Sequence, residues 1–356
     1  MRAINASVMR QANRTLLLNR IRMRPISRAE LAEETGLTRA SVTQIVEELI
    51  NEGMVIETSM VERSRLGRRS TQLAISAQAG YTVGVALGPM ECTVGVTDML
   101  GQVLMRSIEL VNGREPGAVL DAVAGIIAGQ LKTLGVAAEK VFGIGVSVPG
   151  PVDQKYGIAQ NLTGMESWNG IALRRELSSR TGMKVYSESA ANAQALEQKY
   201  FGSAGENFAL VRMEDALSVG VVVQDALYRG SAEFAVELGQ CPAGPDGGQT
   251  LNELLAGDGR MSWRRMLEKP DEPETEQALL QLSYPLASVM CVYQVRHAAL
   301  GGSVGERLKP LLPKLLQRVQ SLLPVQVSNG VTLTVAETDL VRMAASVVYH
   351  RIFSLV

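Results

Sequence analysis

The sequence predicts an N-terminal winged helix-turn-helix joined to an α/β body of two lobes. Three observations predict it. Residues 27–53 carry apolar positions at helical spacing on both sides of a glycine. Two β-prone runs flanking an arginine-rich connection come next. From residue 76 onward, strand-like segments alternate with helical stretches, the pattern of sheets covered by helices.

The opening stretch, MRAINASVMRQANRTLLLNRI, is basic and has no signal-peptide core or cleavage site. Its TLLLNRI segment reads as the first helix. In SRAELAEETGLTRASVTQIVEELINEG (27–53), Leu31, Ala32, Leu37, Val42, Ile45, Val46, Leu49 and Ile50 repeat at helical spacing. Ser27 with Glu30 three residues on is a capping-box pattern. Gly36 marks the turn, and Thr38 is placed to cap the second helix. Two helices joined in this way form a helix-turn-helix, whose second helix fits a DNA major groove. Met54–Thr58 and Thr71–Ile75 read as the strands of a wing, with Arg63, Arg65, Arg68 and Arg69 clustered at its tip. Arginine suits phosphate contacts and narrow minor grooves.

Charge is segregated along the chain. Residues 1–75 hold twelve arginines, no lysine and eight acids, a net +4, while the remainder holds 23 basic and 28 acidic residues, a net −5. An arginine-rich first segment carrying a helix-turn-helix and a wing predicts binding to a double-stranded DNA operator. Because Val42, Ile45 and Val46 must face the core, Thr38, Arg39, Ser41, Thr43 and Gln44 are expected to face the groove. Arg39 and Gln44 are the side chains suited to base edges. Arg65, Arg68 and Arg69 are expected to meet phosphates or the minor groove.

At 356 residues, the chain has room for two or three domains, and 46% hydrophobic with 20% charged residues suits a soluble protein. No uninterrupted apolar run is long enough to span a bilayer, so no membrane partner is expected. Cys92, Cys241 and Cys291 are far apart and form neither a disulfide framework nor a C-x-x-C site, which points to a reduced cytoplasm. YTVGVALG (81–88), CTVGVTDM (92–99) and VLMRSIEL (103–110) are strand-like, and a helix is expected from Pro116 to Leu134. FGIGVSVPGPVD (142–153) reads as a buried strand ending in a Gly/Pro loop. KVYSESAANAQALEQKYFG (184–202) reads as strand, loop and helix, and 208–230 as two strands with a hairpin. Residues 268–277 read as an acidic surface loop, followed by a helical pattern in ALLQLSYPLASVMCVYQVRHAAL. The final ETDLVRMAASVVYHRIF reads as an amphipathic helix burying Leu340, Met343, Ala344, Val347, Val348 and Ile352. The expected boundaries are 1–75 for the winged helix-turn-helix, 76–190 for a first lobe completed by 338–356, and 191–337 for a second lobe. A cleft between two lobes is the usual place for a small ligand.

Together these features resemble the ROK family of repressors, open reading frames and sugar kinases. The resemblance rests on GIGVSVPGPVD with the downstream NLTGMESWNGIAL (161–173), on SESAANAQALEQ (187–198) and on LYRGSAEFAVELGQ (227–240). It implies an actin-like, ribonuclease-H-like body behind an N-terminal winged helix, and a sugar-responsive transcriptional repressor.

Departures from the family pattern separate regulator from enzyme. A sugar kinase needs a general base and glycine-rich phosphate loops. Where the family's kinases have an Asn-Asp pair before Ala-Asn, this chain has Ser189 and Ala190 before Ala191 and Asn192. Alanine cannot accept a proton; Glu188 is the nearby carboxylate that could substitute. The first phosphate loop, Asp-x-Gly-Gly-Thr, is matched by Ala86, Leu87, Gly88, Pro89 and Met90. The second, Gly-Thr-Gly-x-Gly, is matched by Asp215, Ala216, Leu217, Ser218, Val219 and Gly220, where side chains replace close-approach glycines. Leu300, Gly301, Gly302 and Ser303 resemble the Gly-Gly loop beside the nucleotide, but are read as a turn. The family's zinc site retains only Cys241, with Glu253 beyond it. No catalytic residue, zinc or other cofactor is therefore expected. Asn161, Glu237 and Gln240 are left at family positions that meet sugar hydroxyls, and Asn192 lies in the same loop, so these four are the expected ligand-binding residues. Trp168 is read as core. The expectation is a non-enzymatic repressor, a homodimer or higher homo-oligomer, responding to a sugar or sugar phosphate. An active kinase fused to a DNA-binding domain, and a regulator whose body binds a protein partner, are the two alternatives.

Overall fold

The computed structural model describes residues 6–58, 71–160, 162, 164–214, 216–230, 237–242, 250–256 and 273–354. The wing tip, with Arg63, Arg65, Arg68 and Arg69, and also Asn161, lie outside the described residues, as do 268–272 of the acidic stretch.

The N-terminal unit is α1 (Ala6–Met23), β1 (Ile26–Ser27), α2 (Arg28–Thr35), α3 (Arg39–Asn51), β2 (Val55–Thr58) and β3 (Gln72–Ile75), with sheet order β1-β3-β2. Local chemistry sets its boundaries. Ser27 Oγ accepts the Glu30 N–H at 3.3 Å, while the Ser27 N–H donates to Glu30 Oε2 at 2.9 Å. Gly36 ends α2 at φ 70°, a left-handed conformation that glycine adopts freely. Thr38 Oγ1 then accepts the Ser41 N–H at 3.2 Å and starts α3.

The body contains the same succession twice. In the first lobe, β4 (Tyr81–Leu87), β5 (Glu91–Asp98) and β6 (Val103–Leu110) run antiparallel, and α4 (Pro116–Leu134) crosses to β7 (Val141–Val148), parallel to β4. A short hairpin, β8 (Val152–Asp153) with β9 (Ile158–Ala159), and α5 (Leu173–Thr181) lead to β10 (Val185–Ser189), giving sheet order β10-β7-β4-β5-β6. Helix α6 (Ala190–Phe201) follows with no intervening loop, because Ser189 is itself the N-cap. The second lobe repeats this with β11 (Phe208–Met213), β12 (Leu217–Val223), β13 (Ala226–Tyr228), α7 (Leu251–Ala256), α8 (Pro273–Tyr293) and β14 (His297–Gly301). Then come α9 (Gly302–Arg307), α10 (Leu312–Leu322), α11 (Val325–Ser328), β15 (Thr332–Val335) and α12 (Leu340–Phe353), with sheet order β13-β12-β11-β14-β15.

Two expectations are corrected here. Helix α8 begins at Pro273, so 273–277 are helix and not loop, and the helix ends at Tyr293. His297–Gly301 is a parallel strand between β11 and β15; buried on both sides, it shows a continuous apolar run instead of alternation. Helix α4 is long and apolar enough to cross a bilayer by length and composition, but its Val119, Leu120, Val123, Ile127 and Leu131 belong to the first-lobe core. Trp168 is buried in that core.

The last helix of each half packs on the other half's sheet. Helix α12 lies across β4, β5 and β7, and α6 lies across β11 and β12, with the two helices against each other between the sheets. Helix α12 is therefore not amphipathic as expected: from Val341 to His350 only Arg342 escapes full burial, whereas Leu340 is exposed and Ile352 half-buried. Glycines permit this seating. Gly95, Gly84 and Gly145 stand side by side on three paired strands, and a Cβ on Gly84 or Gly145 would overlap the carbonyl oxygens of Val341 or Ala344. On the other sheet, Gly220 meets the Ala191 carbonyl of α6 in the same way.

Buried polar groups sit along these two helices. Glu197 of α6 accepts from the Asp339 N–H at 3.1 Å and from Arg342 Nε at 2.9 Å, and burial raises its carboxyl to about 7. At the far end, Tyr200 Oη and His350 Nδ1 are 3.1 Å apart. Burial first, then the charges of Arg229, Arg351 and Lys199, push His350 down to about 3. A depressed histidine contributes stability that is complete above its unfolded value of about 6.5 and is lost as pH falls towards 3. Glu197 acts with the opposite sign, losing its contribution as pH rises from about 4.5 through 7. The two oppose each other between about pH 4.5 and 6.5, and below that His350 acts alone. His350→Phe is expected to flatten the fall in melting temperature between pH 4.5 and 3.5. An unchanged slope would show that His350 does not drive the acid transition.

Candidate functional site

The first candidate surface is α3. Val42, Ile45, Val46 and Leu49 are buried against the rest of the winged helix, leaving Arg39, Ala40, Thr43, Gln44 and Glu47 exposed. Thr38 is exposed, but its hydroxyl is engaged as the cap. Ser41 is half-buried, and its hydroxyl accepts from Thr38 Oγ1 at 2.9 Å, so it is held to the cap and does not project with the others. Gln44 Nε2 lies 3.4 Å from Glu48 Oε1. Arg10, Arg14, Arg24 and Arg28 are paired with Glu48, Glu52, Glu34 and Glu57. Arg39 has no ion-pair partner among the described residues, and it stands on the first turn of α3, where the helix dipole also favours an anion.

This unit is fixed to the body through α1. Leu17, Leu18 and Ile21 share a buried cluster with Leu196, Tyr200, Tyr349 and Phe353. Asn19 Nδ2 donates to the Phe353 carbonyl at 2.6 Å, and Arg22 Nη1 to the Tyr200 carbonyl at 2.9 Å. The Arg22 guanidinium lies 4.9 Å from the centre of the Tyr200 ring.

The second candidate surface is a cleft of about 400 Å³ between the lobes. Pro89 and Pro149–Pro151 line the first-lobe side, Ser189–Ala191 the start of α6, and Arg212, Glu214, Ala216, Ser218, Glu237 and Gln240 the second-lobe side. Glu237 and Gln240 thus stand in the cleft, the first half-buried and the second exposed. Burial raises the Glu237 carboxyl above its ordinary value. Asn192 does not line the cleft. It is 1% exposed, and its Nδ2 donates to Glu188 Oε1 at 3.0 Å, so the expectation that it meets hydroxyls is not supported by its geometry. Glu188 is equally enclosed. Its Oε1 also accepts the Ser189 N–H at 3.0 Å, and its Oε2 takes Arg229 Nη2 at 2.7 Å.

Arg212 and Glu214 escaped the sequence reading. Arg212 Nη1 donates to Gln194 Oε1 at 2.9 Å, and Nη2 to Glu214 Oε1 at 3.1 Å. Glu214 in turn accepts the Ser303 N–H at 3.0 Å and the Ser303 hydroxyl at 2.6 Å. A carboxylate therefore covers the start of α9, immediately after the Gly301–Gly302 pair. The one signal was an arginine in an otherwise apolar strand, FALVRM. Among the described residues no three His, Cys, Asp or Glu side chains converge near Cys241, and Glu253 is engaged with Thr250.

Comparison with known proteins agrees with this architecture. The pattern described as the ROK family matches residues 82–251, and that of a winged helix-turn-helix DNA-binding domain matches 24–56. A putative xylose repressor from Caldicellulosiruptor sp. (strain Rt8B.4) is 31% identical over 242 residues, 66% of this chain and 59% of the relative. The xylose repressor of Bacillus subtilis (strain 168) is 31% identical over 65% of this chain and 60% of its own length. The chain thus spans about six tenths of the curated relatives it matches. A solved ROK family transcriptional regulator, a homologue of the E. coli MLC protein, superposes with a TM-score of 0.79 over 97% of both chains at 19% identity. A ROK hexokinase from Thermus thermophilus superposes with a TM-score of 0.63 over 76% of this chain and 99% of its own, at 24% identity.

Proposed function

The chain belongs to the ROK family, and on that premise we propose that it is an operator-binding transcriptional repressor, working in the cytoplasm, whose DNA affinity is set by a sugar in the interlobe cleft. The observation that carries this reading is the joining, in one chain, of an exposed recognition face on α3 to a kinase-like cleft that has lost its base. Ala190 occupies the base position. Glu188 is 2% exposed and its two oxygens are engaged by Asn192, the Ser189 N–H and both Arg229 Nε and Nη2, which leaves it poorly placed to take a hydroxyl proton. Glu214 covers the start of α9, where a nucleotide would lie, and its charge would repel phosphate.

The same residues narrow the effector. Glu237 and Glu214 face the cleft against one guanidinium, Arg212, which is already paired. An uncharged polyol suits this lining better than a sugar phosphate. Similarity to xylose repressors makes D-xylose the first sugar to test. Helix α6 offers a route for the signal. Its first turn lines the cleft, and Tyr200 near its other end holds Arg22 of α1. A sugar shifts operator affinity only if it binds one lobe arrangement better than another.

Selection of operator fragments, followed by titration of the complex with xylose, glucose, mannose and N-acetylglucosamine, tests the proposal. Release by one sugar is expected, with Glu237→Ala retaining DNA affinity but losing release. Release equally strong in Glu237→Ala would remove Glu237 from the site. No response to any sugar in either protein would move the signal to a protein partner. ADP formation with any of these sugars, abolished by Glu188→Gln, would make the chain a kinase.

A further inference from the structure

Helix α3 and its C-cap carry three carboxylates, Glu47, Glu48 and Glu52, on an element that is to approach the most anionic of partners. Two of them are neutralised. Arg10 and Arg14 reach over from α1 to pair with Glu48 and Glu52. Glu47 is different: it is exposed, and its side chain has neither an ion pair nor a hydrogen bond among the described residues. It is also central on the open face. At about 3.6 residues per turn, Ala40, Gln44 and Glu47 point within about 30° of the direction opposite the mean of Val42, Ile45, Val46 and Leu49, with Thr43 beside them. Ala40, Thr43, Gln44 and Glu47 thus form an exposed set at i, i+3, i+4 and i+7. The same spacing carries the base contacts of reading helices in other DNA-binding folds.

We propose that Glu47 is a specificity-determining residue that accepts a hydrogen bond from the N4 amino group of a cytosine in the major groove. An ionised carboxylate can only accept hydrogen bonds, and it is repelled by every phosphate near it. Sugar-phosphate backbone therefore offers it nothing, and only a donor on a base edge can offset the repulsion. Guanine shows the groove two acceptors, and thymine an acceptor and a methyl group. Adenine sets its N7 acceptor beside its N6 amine, so the second carboxylate oxygen would meet a lone pair. Cytosine presents its amine alone, and it is the base that glutamate reads. The carboxylate rejects as well as selects: with any other base opposite it, the repulsion stands uncompensated. Its place along the helix fixes which base pair it meets. Glu47 lies three residues beyond Gln44, about 4.5 Å further along the axis. That is a little more than the step of about 3.4 Å between base pairs. The cytosine should stand one or two base pairs from the position read by Gln44.

This role rests on the operator-binding reading, and Gln44→Ala serves as the reference that lets the two fail separately. Full-length wild type, Gln44→Ala, Glu47→Ala and Glu47→Gln each select from a randomised duplex pool. Their affinities are then measured on duplexes carrying all four base pairs at each position of the selected site. Wild type is expected to prefer cytosine at one position of each half-site by about five- to 150-fold. Glu47→Ala should lose that preference alone, bind unrelated DNA at least as well as wild type, and melt with it. Glu47→Gln should move the preference from cytosine to adenine, the base that an amide reads. Gln44→Ala should lose a different position, one or two base pairs away. If Gln44→Ala changes the selected site but Glu47→Ala keeps every wild-type preference, the assignment of Glu47 fails and the operator-binding reading stands. A uniform gain in affinity in Glu47→Ala, with preferences unchanged, would mean that the carboxylate only repels DNA and overturns the assignment. So does a uniform loss accompanied by a lower melting temperature, which would make Glu47 a structural residue. If wild type selects no site, or if neither Gln44→Ala nor Glu47→Ala alters the site selected, α3 is not the reading helix and both fall.

Discussion

Replacing Arg39 and Gln44 together with alanine is expected to weaken operator binding by about two to four orders of magnitude and to leave the fold intact. Both side chains are exposed on the first two turns of α3, whereas Val42, Ile45 and Val46 are buried. Arginine pairs with guanine, and glutamine with adenine, through two hydrogen bonds, each pair worth about 1–3 kcal/mol of discrimination. With tenfold in affinity per 1.4 kcal/mol, two lost pairs give the stated range. Fluorescence anisotropy at several salt concentrations checks it. The slope of log affinity against log salt decides what Arg39 touches. A base contact leaves the slope unchanged, whereas a phosphate contact lowers it by about one unit. Undiminished affinity in the double variant would mean that α3 is not the reading helix. Ser41→Ala serves as the contrast. Its hydroxyl is held by Thr38, so a small change is expected.

Much of the helix-turn-helix was legible because its signals are local. The Ser27–Glu30 box, Gly36 and Thr38 act within three or four residues of themselves, so sequence alone locates the helix ends. Helix α4 was legible for the same reason, with Pro116 at its first turn and Gly135 as its left-handed cap. What depends on the partner surface was not. Helix α12 looks amphipathic when α6 is ignored, and β14 looks like a continuation of α8 until it is placed between β11 and β15. The cleft divides the same way. Glu237 and Gln240 line the cleft. Asn192 sits at its motif position with its amide turned into the Glu188–Arg229 cluster. Arg212 and Glu214 acquire meaning only when the β11–β12 turn brings them to Gln194 and Ser303.

The glycine row under α12 carries the largest expected effect on stability. In Gly84→Ala, the new methyl would fall on the Val341 carbonyl, a backbone atom that cannot rotate away, so α12 must lift from the sheet. Overpacking of a close-packed core typically costs about 1–3 kcal/mol, and a backbone obstacle places this variant at or above the upper end. At about 2–4 °C per kcal/mol for a domain of this size, a fall of on the order of 10 °C in melting temperature is expected. Gly125→Ala and Gly129→Ala are the control. Both glycines lie within α4 with nothing near the added methyl, so each should raise stability by about 0.5–1 kcal/mol through helix propensity. The same displacement should reach DNA. Helix α12 ends at Phe353, whose carbonyl holds Asn19 of α1 and whose ring packs in the cluster beneath the winged helix. Lifting α12 loosens the seat on which the recognition helix is carried. Gly84→Ala should therefore lose operator affinity at temperatures where it is still folded, which Gly125→Ala should not. A Gly84→Ala protein that melts with the wild type would show that α12 does not rest on the glycine row.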